Sequence, residues 1–200
     1  MIDYALFIEG LDELKDLGEQ VDPQIMRAAY RAINATADRT RTASAEEIRR
    51  QVNFPASYLR PSSGRLSVTR RASSSNLEAI ITGRRRATSL ARFVTSGTAG
   101  KKGASVAVKP GRNVELPNAF LMKLRSGSDI DTKNNLGLAI RTERGKRPDA
   151  AYKPVRIADG LWLLYGPSID QVFRTVRQDV TPDAEKYLAS EFTRLLDLSL

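Results

Sequence analysis

The stretch from residue 22 to residue 51, DPQIMRAAYRAINATADRTRTASAEEIRRQ, contains no helix-breaking residue after its first turn. Asp22 is suited to cap the first backbone N–H groups, and Pro23 fits the first helical position, where no N–H partner is needed. Small and apolar residues then recur every three or four positions, the spacing of one helix face. The pattern predicts a long helix that ends near Gln51. Its buried face is predicted to carry Ile25, Ala29, Ala32, Ile33, Thr36, Ala37, Thr40, Ala43, Ile48 and Val52, and its solvent side Arg27, Arg31, Asp38, Arg41, Glu46 and Arg49.

Beyond residue 60 the sequence changes to short stretches in which apolar and polar residues alternate, which is the period of a half-buried β-strand. Turn-forming residues separate these stretches, for example at 73–75 and 126–129. Residues 88–94 instead have the spacing of a short helix with Leu90 and Phe93 inward. Strands are predicted at 65–70, 77–82, 104–108, 118–122, 136–141 and 161–165.

Two helices are predicted near the C-terminus. Ser168 is suited to cap the first, which runs to about Val176, and Pro182 has the position of a second helix start. The second helix carries an apolar stripe of Tyr187, Leu188, Phe192, Leu195 and Leu196. This order of elements is typical of an α+β fold, with a long N-terminal helix and C-terminal helices packed on one antiparallel β-sheet with long flexible loops.

A length of 200 residues is typical of one domain, and we expect a single domain over residues 1–200. Residues 1–9 are interpreted as a short strand or an extended arm, followed by a short amphipathic helix over 11–17. Glycine, serine and basic residues predict flexible basic loops at 95–103 and 143–150. No apolar run approaches the roughly 20 residues that span a bilayer, so we expect no membrane segment and synthesis in the cytoplasm.

The chain has no cysteine and no histidine, which excludes disulfides, Cys/His zinc sites, thiol nucleophiles and histidine bases. A phosphate-binding loop aligned on the glycine-containing segment 97–102 would need glycine at Thr95 and serine or threonine at Lys102, so both required positions differ. Segment 129–134 lacks the third oxygen ligand, the turn glycine and the later glutamate of a calcium loop. We therefore predict no cofactor, no metal site and no enzymatic activity.

The net charge of +9 is distributed unevenly along the chain. Residues 1–22 carry a net charge of −6, residues 23–156 carry +18, and residues 157–200 carry −3. A basic middle between acidic ends suits contacts between unlike surfaces, within one chain or between copies. It also suits contact with nucleic acid, because basic side chains neutralise phosphates.

Basic runs and apolar N-terminal residues form the candidate interface with a partner or a second subunit. No recognition helix or aromatic RNA-binding motif accompanies the basic runs, and Phe93 is the one stacking aromatic near them. We therefore favour protein docking or solvated loop charges, with a basic nucleic-acid-binding module as the alternative. The candidate interface residues are Ile2, Tyr4, Phe7, Arg84, Arg85, Arg86, Lys101, Lys102, Lys146 and Arg147.

Four stretches, in this order, resemble the prophage minor tail protein Z family of long-tailed phages. They are GLDEL at 10–14 with the alanine-rich helix after it, LPNAFL at 116–121, LAIR at 138–141 and LYGPSI at 164–169. The similarity runs from about Gly10 to the final helix. It is weak over 65–112 and is interrupted by the segment 129–134.

The resemblance implies a structural virion protein at the head-proximal end of the tail or in the neck. Proteins that look like this include tail-completion and tail-terminator proteins, which form rings, commonly hexamers, that end the tail tube and join it to the connector. The implied partners are further copies of the chain, the tail-tube protein and neck or connector proteins, with non-specific contact to DNA in the channel. The family provides no catalytic residues to transfer.

Overall fold

A computed structural model describes residues 4–6 (backbone only), 22–96, 103–124, 136–149 and 152–198. Within them lie two long α-helices and eleven antiparallel β-strands, which confirms the α+β class. The helices are α1 (Pro23–Gln51) and α2 (Ile169–Asp197), with short 3-10 helices at Ala56–Leu59, Pro61–Ser63 and Leu90–Phe93. The strands are β1 (Tyr4–Leu6), β2 (Leu66–Arg70), β3 (Ala79–Gly83), β4 (Thr88–Ser89), β5 (Val94–Ser96), β6 (Ala104–Lys109), β7 (Arg112–Leu116), β8 (Ala119–Lys123), β9 (Leu136–Arg141), β10 (Lys153–Ala158) and β11 (Leu161–Gly166).

The strands form three antiparallel sheets, so the prediction of one sheet is wrong. Their orders are β1-β3-β2, β10-β11-β9-β8 with β4 also on β11, and β5-β6-β7. Alternation in the sequence indicates that a strand has an apolar face, but it does not specify the neighbouring strand. Register shifts interrupt four of the strand pairs, and such irregularities bend a strand and end its pairing.

The structure also changes the predicted middle of the chain. Strands β5, β7 and β10 were not predicted; β5 takes up the start of the loop predicted at 95–103, of which 97–102 lie outside the described residues. The expected helix over 88–94 is a two-residue strand followed by a 3-10 helix. Leu90 and Phe93 are nevertheless buried, as predicted. Three-residue spacing is shared by the first turns of a 3-10 helix and an α-helix, and this explains the error.

Helix α1 begins and ends where the sequence predicts. Asp22 accepts a hydrogen bond from the Gln24 N–H through its Oδ1 atom at 2.8 Å, which satisfies one free donor of the first turn. Two predictions about its faces are wrong. Ile25 lies in the first turn and is 37% exposed, whereas Arg41, predicted on the solvent side, is 7% exposed. The buried residues of α1 are Ala28, Ala29, Ala32, Ile33, Thr36, Ala37, Thr40, Arg41, Ser44 and Ile48.

Helix α2 is continuous through Pro182, so the prediction of two C-terminal helices is wrong. A proline inside a helix removes one backbone hydrogen bond and normally bends or ends the helix. Here Val176, Val180 and Ala184 are buried on both sides of the proline, so one apolar face continues across it. Packing of that face outweighs the local preference of Pro182.

The fold divides into two compact units, each built from separate parts of the chain. Unit 1 contains Met1–Ile48, Ala56–Arg84 and Asp170–Leu200, and unit 2 contains Arg49–Pro55 and Arg85–Ile169. The prediction of a single domain stays a prediction. Buried residues of unit 1 include Ile33, Leu66, Ile81 and Val176, and those of unit 2 include Phe54, Leu90, Phe93, Val106, Leu138 and Leu164.

The buried Arg41 connects three elements of unit 1. Its Nε atom donates to the carbonyl oxygen of Leu66 at 3.0 Å, and its Nη2 atom donates to the carbonyl oxygen of Leu59. Burial lowers the pKa of Arg41, and the carboxylate of Asp38 opposes that shift. Arg41 therefore supplies donors to the carbonyl groups of two buried residues.

We expect Arg41→Met to lower the free energy of unfolding by about 3 kcal/mol, because two buried carbonyl groups lose a charged donor. Arg31→Met removes an exposed arginine from the same helix and is expected to change stability by less than about 0.5 kcal/mol. Urea denaturation followed by circular dichroism measures both values. Equal stability of the two variants would show that the Arg41 hydrogen bonds contribute nothing.

Candidate functional site

The structure places the predicted interface residues in both units. Tyr4 belongs to β1, which pairs with β3 of the same chain opposite Ile81. Residues 4–6 therefore form a strand, as one of the two interpretations of the N-terminus predicted. Their backbone pairs with β3 in the chain's own sheet. Four candidates lie outside the described residues, together with the predicted helix over 11–17; they are Ile2, Phe7, Lys101 and Lys102.

The three consecutive arginines are divided between the units. Arg84 ends the second segment of unit 1, where its N–H group donates to the Arg65 carbonyl at 2.8 Å and its own carbonyl accepts from the Asp170 N–H at 3.1 Å. Its backbone thus joins the end of β2–β3 pairing to the first turn of α2. Arg85 and Arg86 begin the second segment of unit 2 and are exposed.

The segment predicted as a flexible loop at 143–150 is held at its start by the β10–β11 hairpin. The Thr142 N–H group donates to the Gly160 carbonyl at 2.9 Å, and Trp162 Nε1 donates to the Thr142 hydroxyl at 3.1 Å. Arg144 forms an ion pair with Asp159 at 2.6 Å. The two hydrogen bonds of Thr142 tie the start of this segment to the hairpin, and the exposed ion pair adds little.

The two candidate cations of this loop have different surroundings. Lys146 forms an exposed ion pair with Glu143 at 2.5 Å, and its carbonyl accepts a hydrogen bond from the Thr142 hydroxyl. Arg147 is exposed. Because exposed ion pairs contribute little, Lys146 remains accessible to a partner at small cost.

Strand β10 is the edge of its sheet among the described strands, where it pairs with β11 alone. Val155 and Ile157 are 40% and 43% exposed on this strand. Pro154 fits an edge position because it has no N–H group to donate. The exposed aliphatic side chains of this edge suit contact with a protein neighbour, while Pro154 and the register shift between Arg156 and Ala158 restrict backbone pairing to part of the strand.

The alternating pattern does not predict this edge, because Pro154 interrupts it and proline is rare in strands. The signal was present in the spacing of Val155 and Ile157, two positions apart, between Lys153 and the Asp159-Gly160 turn.

The two units also differ in net charge. Unit 2 contains 18 basic and six acidic side chains, a net charge of +12. Unit 1 contains 14 basic and 17 acidic side chains, a net charge of −3. The basic charge is thus a property of one compact unit as well as of the middle of the sequence.

Among the described residues no group of three or more acidic side chains is arranged to hold a metal ion. The described helices include none with the length and apolar character that crossing a bilayer requires. Comparison of the chain with protein-family models, curated proteins and solved structures gave no match.

We expect Gly160→Ala to destabilise the β10–β11 hairpin. Gly160 has a φ of +65°, and a Cβ atom there would lie 2.6 Å from the Thr142 carbonyl oxygen. Gly145 has a similar φ of +77°, but a Cβ atom there would meet no heavy atom within 4 Å.

The two substitutions share the conformational strain and differ in the clash, so Gly160→Ala should cost more by about 1–3 kcal/mol. Urea denaturation measures the difference. Equal losses of stability would show that the close approach of Gly160 to Thr142 is unimportant.

Proposed function

We propose that this protein is a structural subunit of a phage virion that forms a ring at the head-proximal end of the tail. In this role it terminates the tail tube and joins it to the neck or connector. The observation that carries the proposal is the β10 edge, where Val155 and Ile157 are exposed on a strand with one described neighbour. The resemblance of the sequence to minor tail proteins supports the location in the virion.

The proposed mechanism is geometrical. In a head-to-tail ring each copy contacts its two neighbours through two different surfaces, and the ring closes when the rotation between copies completes a circle. One of these surfaces is the β10 edge. Its backbone groups form new hydrogen bonds there, and covering two aliphatic side chains removes apolar area from water.

The charge distribution favours contacts in which two different surfaces of neighbouring copies meet. Unit 2 carries +12, unit 1 carries −3, and residues 1–22 alone carry −6. A basic unit of one copy attracts acidic segments of the next and repels the basic unit of that copy. Electrostatics therefore favours the heterologous contacts of a ring over a symmetric pairing of basic units. One face of the ring caps the tube protein, and the other binds the neck.

We expect the wild-type chain to form rings and Val155→Lys/Ile157→Lys to prevent them, because two added charges at the edge oppose strand addition. Ile25→Lys/Leu198→Lys is the matched control, since it also adds two lysines at exposed aliphatic positions, 37% and 72% exposed, outside β10. Light scattering during gel filtration measures the mass, and electron microscopy shows the rings.

A wild-type chain that stays monomeric at all concentrations would contradict ring assembly. A double variant that assembles like the control would remove β10 from the interface. At the level of the virion, particles made without this protein are expected to lack normal head-joined tails, and normal tails in such particles would overturn the proposed function.

A further inference from the structure

The hairpin of β6 and β7 presents two cations at its tip. Lys109 and Arg112 are register partners across the two-residue turn Pro110-Gly111, and both are exposed. Like charges at directly opposed positions destabilise a hairpin. The structure gives neither residue an ion pair with a carboxylate of the described chain.

The acid of this hairpin does not neutralise the tip. Glu115 is three positions from Arg112 along β7, so the two side chains leave opposite faces of the strand. Glu115 instead accepts a hydrogen bond from the Ser105 hydroxyl. The positive charge at the tip is therefore uncompensated within β6 and β7.

One aromatic residue lies within the electrostatic influence of the tip. The charge of Arg112 acts on the Tyr152 phenol: burial raises the pKa of Tyr152, and Arg112 opposes that shift. We call Lys109 and Arg112 the basic tip.

We propose that the basic tip binds the phosphate backbone of duplex DNA. This is a second activity beside the proposed assembly function and does not depend on it. Charge complementarity supports this ligand, since the tip lies in a unit of net charge +12 and its opposed cations lack a described carboxylate partner. The aromatic neighbour of the tip, Tyr152, is half-buried, which favours phosphate contacts over stacking on unpaired bases.

The test uses the full-length chain and a fluorescein-labelled 30-base-pair duplex of arbitrary sequence, with binding followed by anisotropy across a salt series. Lys109→Gln/Arg112→Gln is expected to weaken binding by about tenfold or more at low salt. It should also reduce the slope of log affinity against log salt concentration by about two, because each substituted cation leaves one phosphate without its neutralising charge.

Arg31→Gln/Lys186→Gln is the matched control, because it removes two exposed cations from unit 1 and changes the net charge equally. Its affinity is expected to stay within about threefold of the wild type. If the tip variant unfolds, the single variants Lys109→Gln and Arg112→Gln replace it, each with an expected slope change of about one.

Three results would overturn the proposal. The first is no duplex binding by the wild type at low salt, and the second is an equal loss of affinity in the tip variant and the control. The third is tip-dependent binding of a synthetic acidic peptide of residues 1–22 without duplex binding. The last result would identify the tip as a protein-binding surface. The oligomeric mass of each variant is measured in parallel, so a failure of ring assembly with duplex binding retained contradicts the proposed function alone.

Discussion

A single buried guanidinium links three elements of unit 1. Arg41 lies on an α1 face that otherwise carries small and apolar residues, and it donates to the carbonyl groups of Leu59 and Leu66. Beside Leu66, the Arg65 carbonyl accepts from Arg84, whose own carbonyl accepts from the first turn of α2. Backbone hydrogen bonds thus continue from the strand held by Arg41 to the start of the second long helix. Because buried carbonyl groups need donors, Arg41 fixes α1 at the start of β2. Asn34 and Asp38 bind Ala72 and Arg71 just after the end of β2.

The sequence predicts an element correctly where residues within that element determine its bounds, as in α1. The bounds of α1 follow from a capping aspartate, a proline and a periodic face, all of which are read within one segment. Long-range packing decided the rest: Arg41 is buried because two distant carbonyls need it, and Pro182 stays inside α2 because buried residues flank it on both sides. The pairing of strands into three sheets, and the exposure of Val155 and Ile157, likewise depend on neighbours that alternation does not specify.

Unit 2 combines two kinds of surface chemistry. The β10 edge offers backbone hydrogen-bonding groups and aliphatic side chains, which suit a protein neighbour. The tip of the β6–β7 hairpin offers cations without described carboxylate partners, which suit phosphates. The residues chosen from the sequence by charge alone were the consecutive runs, whereas the hairpin brings Lys109 and Arg112 together across a turn. A ring built through one surface leaves the other available for a different ligand.

The most direct measurement of the central claim, that copies of this chain assemble through the β10 edge, is hydrogen–deuterium exchange of residues 153–158 at several protein concentrations. Strand β9 is the internal reference, because it already pairs with strands on both sides. The account predicts that exchange over 153–158 slows as assembly proceeds while exchange over 136–141 stays constant. Unchanged exchange at β10 in a fully assembled sample would contradict it.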